Sequence, residues 1–207
     1  GRKFSEWVAR RERRDPTAYI LGVREFWGLE FTVTPAVLIP RPETEFIVEE
    51  ALALAQVERM ADIGTGSGCL AVAIAHERRD CRIVASDLSI AALDVARANA
   101  VRHGVNHRIE FVQTSYLDSV NGTFDLIVAN PPYVKDGDAP ALSRDVRHEP
   151  SVALFGGTDG LRDVGGVLQT ARDRLVSGGS FLMEFGYGQE EAHSELVAAI
   201  PELRLEP

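Results

Sequence analysis

The chain has 207 residues, 45% hydrophobic and 26% charged, with a net charge of −9; it is long enough to bury one full-sized α/β core. The acidic balance argues against broad affinity for phosphate backbones, and no apolar run is long enough for a bilayer span or a signal peptide. A cytoplasmic protein is therefore expected, with neither nucleic acid nor membrane as a direct partner.

Residues 2–14 predict a helix with Phe4, Trp7 and Val8 on one face, closed by Asp15-Pro16. Arginine and lysine outnumber acids over residues 1–24, which reads as a solvated helix face, with a partner-docking patch as the alternative. The stretch REFWGLEFTV (24–33) predicts a strand or hairpin turning at Gly28. LIPRPETEFIVEEALALA (38–55) starts as a proline-stiffened loop and becomes a helix near Pro42, since proline suits a first helical position.

From residue 59 strand and helix patterns alternate. Strands are expected at 59–63, 82–87, 108–112, 124–129 and 180–185, and helices at 69–77, 89–102, 161–176 and 189–199. Alternation with short loops predicts a mostly parallel sheet with helices on both faces. Ligands in such sheets bind beyond the carboxyl ends of the strands, so residues just after each strand are the candidates for a site.

Two of those positions carry chemistry. DIGTGSG (62–68) leads from a strand into a helix, and its glycines let the backbone turn tightly and approach a ligand. Asp87 ends the next strand, where a carboxylate can accept from ribose hydroxyls or cap the helix that starts near Ser89. The spacing Gly-x-Gly-x-Gly lacks the final glycine of a dinucleotide site, which favours S-adenosylmethionine over NAD.

The third position is ANPPYV (129–134). Proline has no backbone N–H, so Asn130-Pro131-Pro132 presents carbonyl acceptors on a stiff frame, with the Asn130 side-chain carbonyl as a further acceptor. Tyr133 adds a flat ring. An acceptor-rich, rigid site beside an aromatic face suits a planar NH₂ group. A bare Asn-Pro turn is the simpler alternative, but the glycine loop and Asp87 upstream favour a methyl donor meeting a planar amine. His103 and His107 are four residues apart, yet Gly104 and Asn106 fall between them, so no metal role is expected. Cys69 and Cys81 lack metal-ligand spacing and read as free buried thiols. No residue stands out as a general base.

NPPY after a strand resembles the signature of amino-methyltransferases. The stretches AYILGVREFWGLEFTVTPAVLIPRPETE (18–45), DIGTGSGCLAVAIA (62–75), EPSVALFGGTDGL (149–161) and EFGYGQ (184–189) make nearly the whole chain similar to the HemK/PrmC family of peptide chain release factor N5-glutamine methyltransferases. That resemblance implies a Rossmann-like class I S-adenosylmethionine-dependent methyltransferase fold. It implies that Gly64, Thr65, Gly66, Ser67 and Gly68 cradle the donor, Asp87 binds its ribose and Tyr116 flanks the adenine. It implies also that Asn130 receives the substrate amide beside the donor methyl, with Pro131, Pro132 and Tyr133 completing the pocket. The implied substrate is the glutamine of the Gly-Gly-Gln loop in class I release factors.

Three features depart from the family pattern. Ser115 stands where an acidic residue often precedes the adenine-side tyrosine. Residues 1–22 read as the remnant of an N-terminal helical domain or linker, and 23–207 as a catalytic domain whose closing strand pair is cut short, with LRLEP (203–207) beginning a strand. The alternatives are an adenine-N6 DNA methyltransferase, disfavoured by charge and size, and an inactive donor-binding interaction module.

Overall fold

A computed structural model describes residues 2–204. Two short helices, α1 (Arg2–Glu12) and α2 (Thr17–Leu21), precede a hairpin of β1 (Val23–Phe26) and β2 (Leu29–Thr32). The alternating region follows: α3 (Glu45–Ala53), β3 (Arg59–Ile63), α4 (Cys69–Glu77), β4 (Arg82–Asp87), α5 (Ile90–Arg102), β5 (Ile109–Gln113), β6 (Phe124–Ala129), α6 (Arg162–Arg174), β7 (Leu175–Met183) and α7 (Glu190–Ala198). The hairpin turns through Trp27 and Gly28, both at positive φ (53° and 68°), as a tight two-residue turn between right-twisting strands requires.

The five-stranded sheet has the order β5-β4-β3-β6-β7, and every pair is parallel. The chain winds outward from β3 through β4 to β5, then returns to the other side of β3 as β6. The order therefore reverses between β3 and β6, and a crevice opens there beyond the strand ends. Register sets its floor: Ile63 pairs with Ser86 on one side and with Ala129 on the other. The residues that follow, Gly64, Asp87 and Asn130, consequently emerge along one edge.

Both faces of the sheet are covered, so the central strands are apolar almost throughout. On one face Met60, Leu126 and Val128 pack under Leu70 and Ile74 of α4, with Phe26 and Phe31 of the hairpin in the same cluster. On the other, Ala61, Ile63, Ile127 and Ala129 meet Val167 and Ala171 of α6. The β7 side chains alternate accordingly: Leu182 joins the first cluster, while Phe181 and Met183 face α6 and α7. Tyr19 of α2 is buried with Val33, Val37 and Ile39 and donates its hydroxyl to the Val37 carbonyl at 2.6 Å, so the packing of the main body extends across residue 22.

The sequence reading and the structure differ at three places. The helix expected to 176 ends at Arg174 and β7 begins at Leu175, because residues 176–179 bulge out between the pairs Phe124–Leu175 and Leu126–Ser180. A Val-Ser-Gly-Gly bulge has neither helical nor strand periodicity to read. Helix α2 is a five-residue turn after Pro16, too short to leave a periodic signal. The strand expected from 203 is not formed at Leu203 or Arg204, which lie in no strand, and the remainder of that stretch (205–207) lies outside the described residues. Leu203 instead packs against the Val164–Leu168–Val197–Ile200 cluster.

Gly68, at the start of α4, has φ +80°, and a Cβ there would lie 3.0 Å from the Ala96 Cβ of α5. Gly68→Ala should lower unfolding free energy by about 1–3 kcal/mol through backbone strain and overpacking together. Adding Ala96→Gly should recover only part of the packing share, because the Ala96 Cα would still lie 3.2 Å from the new Cβ and a glycine inside α5 itself costs about 1 kcal/mol. Denaturant titration of Gly68→Ala, Ala96→Gly and the double variant separates the coupled packing share from the backbone strain, and an unchanged midpoint for Gly68→Ala would contradict this assignment.

Candidate active site

A cavity of about 400 Å³ opens at the carboxyl ends of β3, β4 and β6, within the range of small-molecule sites. Of the residues singled out in the sequence, 64–67, Asp87, Tyr116 and 130–132 line it. Gly68 and Tyr133 stand behind the wall: the first packs α4 on α5, and the second anchors a polar network described below.

The glycine loop is fixed from beneath by backbone and carboxylate. Gly64 and Thr65 both donate their N–H to the Ser86 carbonyl at 2.9 Å, which ties the loop to the end of β4. Asp87 accepts from the Gly66 N–H at 2.9 Å through one oxygen and from the Ser89 N–H at 2.8 Å through the other. Ser89, not Asp87, caps α5, its hydroxyl accepting from the Ala92 N–H at 3.2 Å. A carboxylate has about four acceptor positions, so Asp87 retains capacity for a ligand while it braces the loop. Burial raises its pKa, and the backbone donors of Ser89, Gly66 and Leu88 oppose that rise.

Under the loop lies Asp62, 1% exposed. Its Oδ2 accepts from the Thr65 hydroxyl at 2.6 Å and the Ala71 N–H at 3.2 Å, which joins the end of β3 to the loop and the first turn of α4. Burial pushes its carboxyl up to about 6, against these two hydrogen bonds.

Tyr116 reaches the cavity from the loop after β5 with φ 45°, a conformation that costs a non-glycine residue about 1–3 kcal/mol. Its hydroxyl donates to Asp163 Oδ1 of α6 at 3.2 Å. Its ring lies so close to Gly166 that any Cβ there would sit 2.3 Å from the phenol. A strained backbone held from two sides at a cavity wall is the pattern of a positioned ligand contact. Ser115 also lines the cavity.

The opposite wall is the Asn130-Pro131-Pro132-Tyr133 segment, and it is held rigid. The chain after Tyr133 runs beside residues 154–157: Val134 N–H donates to Leu154 O, Gly156 N–H to Val134 O, and Asp136 N–H to Gly157 O, each at 2.9 Å. Gly156 and Gly160 have no space for a Cβ, which would fall 2.4 Å from the Pro132 oxygen and 2.3 Å from the Tyr133 oxygen. The Tyr133 carbonyl accepts from the Gln189 side chain at 3.1 Å. On the side-chain level, Asn130 Nδ2 donates to Glu184 Oε2 (3.0 Å) and Thr44 Oγ1 (3.2 Å). The Thr44 hydroxyl donates to the same Glu184 oxygen at 2.6 Å, and the Tyr133 hydroxyl to the other at 3.2 Å. Burial, followed by the Glu184 carboxylate, pushes the Tyr133 phenol up to about 12.

Thr44, Asp62, Glu149 and Glu184 were given no role by the sequence reading. Asp62 and Glu184 carry a partial signal, each an isolated carboxylate in an apolar run that must find partners, whereas Thr44 and Glu149 sit among polar neighbours and carry none. Glu149, 6% exposed, accepts from the Ile39 N–H at 3.0 Å and pairs with Arg41 at 2.6 Å, which locks the loop after β2 to the loop before α6 across the cavity rim. His103 instead contacts the Glu30 carbonyl and packs on Phe31. Among the described residues no three His, Cys, Asp or Glu side chains gather as metal ligands, and no helix is long and apolar enough to cross a membrane. Cys69 and Cys81 are both free. Cys69 lines the cavity, and burial pushes its thiol up to about 12, which keeps it protonated at neutral pH.

Asp62 makes stability depend on pH in an unusual direction. Its ordinary pKa of 3.8 rises to about 6 on folding, so between those values the folded chain holds a proton that the unfolded chain has released. Its contribution favours the fold below about pH 4 and is lost as pH rises to about 6. Asp62→Asn should therefore lose less stability than the parent between about pH 4.5 and about pH 7 in denaturant titrations. An equal loss in both proteins would contradict the raised value.

The profile described as methyltransferase small domain matches residues 43–149. The release factor glutamine methyltransferase of Bradyrhizobium diazoefficiens is 44% identical over 204 residues, covering 95% of this chain and 69% of that protein. The Neisseria gonorrhoeae protein of the same name is 48% identical over 187 residues, 88% of this chain and 68% of that one. A crystal structure of a methyltransferase from Pyrococcus furiosus superimposes with a TM-score of 0.62 at 21% identity over 93% of this chain and 85% of its own, a likeness of fold. With identity at this level over most of both chains, the protein belongs to the release factor glutamine methyltransferase family.

Proposed function

We propose that the chain transfers a methyl group from S-adenosylmethionine to the side-chain amide nitrogen, N5, of the glutamine in the Gly-Gly-Gln loop of class I release factors. The observation that carries this reading is the shared edge: the glycine loop, Asp87 and Asn130 open into one cavity because β3, β4 and β6 end level. The residues fit the donor. A tight glycine loop lets the backbone come close to the cavity, a carboxylate with spare acceptor capacity stands at the end of β4, and a tyrosine face is held at the end of β5. In this reading residues 64–68 hold the amino-acid side of the donor, with Gly68 acting through packing; Asp87 accepts from the ribose hydroxyls and Tyr116 flanks the adenine. The donor supplies a methyl group on a sulfonium, a leaving group that needs no acid.

The chain's own task is then positioning. A glutamine amide is a poor nucleophile because its nitrogen lone pair is delocalised into the carbonyl. The Asn130 carbonyl and the proline-framed backbone beside it accept from the two amide hydrogens, which fixes the nitrogen and favours a more pyramidal geometry with the lone pair directed at the methyl. Alignment of this kind can supply on the order of 7–11 kcal/mol of a barrier. Cys69 stays protonated, and the amide proton leaves from a cationic product acidic enough to release it to solvent.

The deciding experiment offers labelled S-adenosylmethionine with a recombinant class I release factor and, separately, duplex DNA. Label on the Gly-Gly-Gln peptide is the expected result, and label on adenine would overturn the reading. Asp87→Ala should weaken binding of S-adenosylhomocysteine about 10- to 100-fold in calorimetry, the worth of a hydrogen bond to a charged group; equal affinity would remove Asp87 from the site. Asn130→Ala should abolish most transfer while leaving that affinity nearly intact. An alanine variant as fast as the parent would leave Asn130 only a turn residue.

A further inference from the structure

A primary amide has two ends of nearly equal size, one a donor and one an acceptor, and only its hydrogen-bond partners decide which way it faces. If Asn130 is to accept from a substrate amide, something must hold its oxygen on the substrate side. Two neighbours meet the other end. Glu184 Oε2, at 3.0 Å, belongs to a carboxylate that can only accept. Thr44 Oγ1, at 3.2 Å, has already given its proton to Glu184 at 2.6 Å, so toward Asn130 it too can only accept. Both demand the NH₂ end. A reversed Asn130 would set its oxygen against a carboxylate and against a hydroxyl whose proton is committed elsewhere.

The carboxylate is itself pinned. Its second oxygen accepts from Tyr133 at 3.2 Å, and the Glu184 backbone N–H donates to the Ala129 carbonyl at 3.1 Å, one residue before Asn130. Thr44 is 3% exposed. Side chain and main chain of Glu184 thus grip the segment on both sides of Asn130. We infer that Glu184 is the positioning residue that sets the Asn130 carboxamide with its oxygen toward the substrate, with Thr44 as its second. This rests on the proposed role of Asn130 as acceptor.

The inference makes a prediction that changes sign. In the parent, Glu184→Met should slow single-turnover methylation of a release factor about 100-fold, the scale of a misplacement of about 1 Å. Glu184→Gln, which keeps one acceptor oxygen, should fall between. Affinity for S-adenosylhomocysteine and KM for the release factor should hold while kcat falls. In an Asn130→Asp background both ends are acceptors, so no orientation is left to set and two carboxylates oppose each other. There Glu184→Gln should raise the rate, because its NH₂ relieves the repulsion and donates to the new carboxylate. Slowing by the same factor in both backgrounds would assign Glu184 a general structural role and overturn the inference. If Glu184→Met does not fold, the Gln pair carries the test alone. Asn130→Ala matching the parent would instead sink the underlying reading of Asn130, a result separable from any outcome at Glu184.

Discussion

Everything at the site depends on parallel register. Because Ile63 lies opposite both Ser86 and Ala129, three strands finish together and the chain leaves each at the same height. A one-residue slip of β6 would turn its side chains to the opposite face of the sheet and carry Asn130 away from the crevice. The apolar continuity of β3 and β6, buried on both faces, is what makes such a slip costly. Core packing and site geometry are therefore one constraint, expressed at two ends of the same strands.

On that edge each loop is braced by a carboxylate, buried at Asp62 and Glu149 and half-buried at Asp87 and Glu184. Asp62 ties the glycine loop to α4, Asp87 ties it to α5, Glu149 ties two rim loops together, and Glu184 gathers Thr44, Asn130 and Tyr133. Carboxylates suit this work because one group accepts several hydrogen bonds, and bonds to a charged acceptor are stronger than neutral ones. Desolvation is the cost, visible in the raised pKa values of Asp62 and Asp87. The result is a cavity whose walls are held by the chain's own short-range contacts, as methyl transfer by positioning requires.

Much of this was legible in the sequence. The alternation from residue 59 implied the parallel sheet, and the residues just after strands 59–63, 82–87 and 124–129 do line one cavity. The bulge at 176–179 and the five-residue α2 were not legible, since neither is long or periodic enough to leave a pattern. Nor were the partners of Asn130: Thr44 and Glu184 lie 86 and 54 residues away in sequence, and only the folded chain brings them together. Motif reading finds groups aimed at a ligand more readily than the groups that aim them.

The central claim is that the crevice between β3 and β6 is where the donor and the substrate amide meet. A crystal structure of the chain with S-adenosylhomocysteine tests it most directly. The account predicts ribose hydroxyls on Asp87, adenine against Tyr116, and the thioether sulfur in the cavity beside Asn130. Product bound elsewhere, or bound here with its sulfur turned away from Asn130, would contradict it.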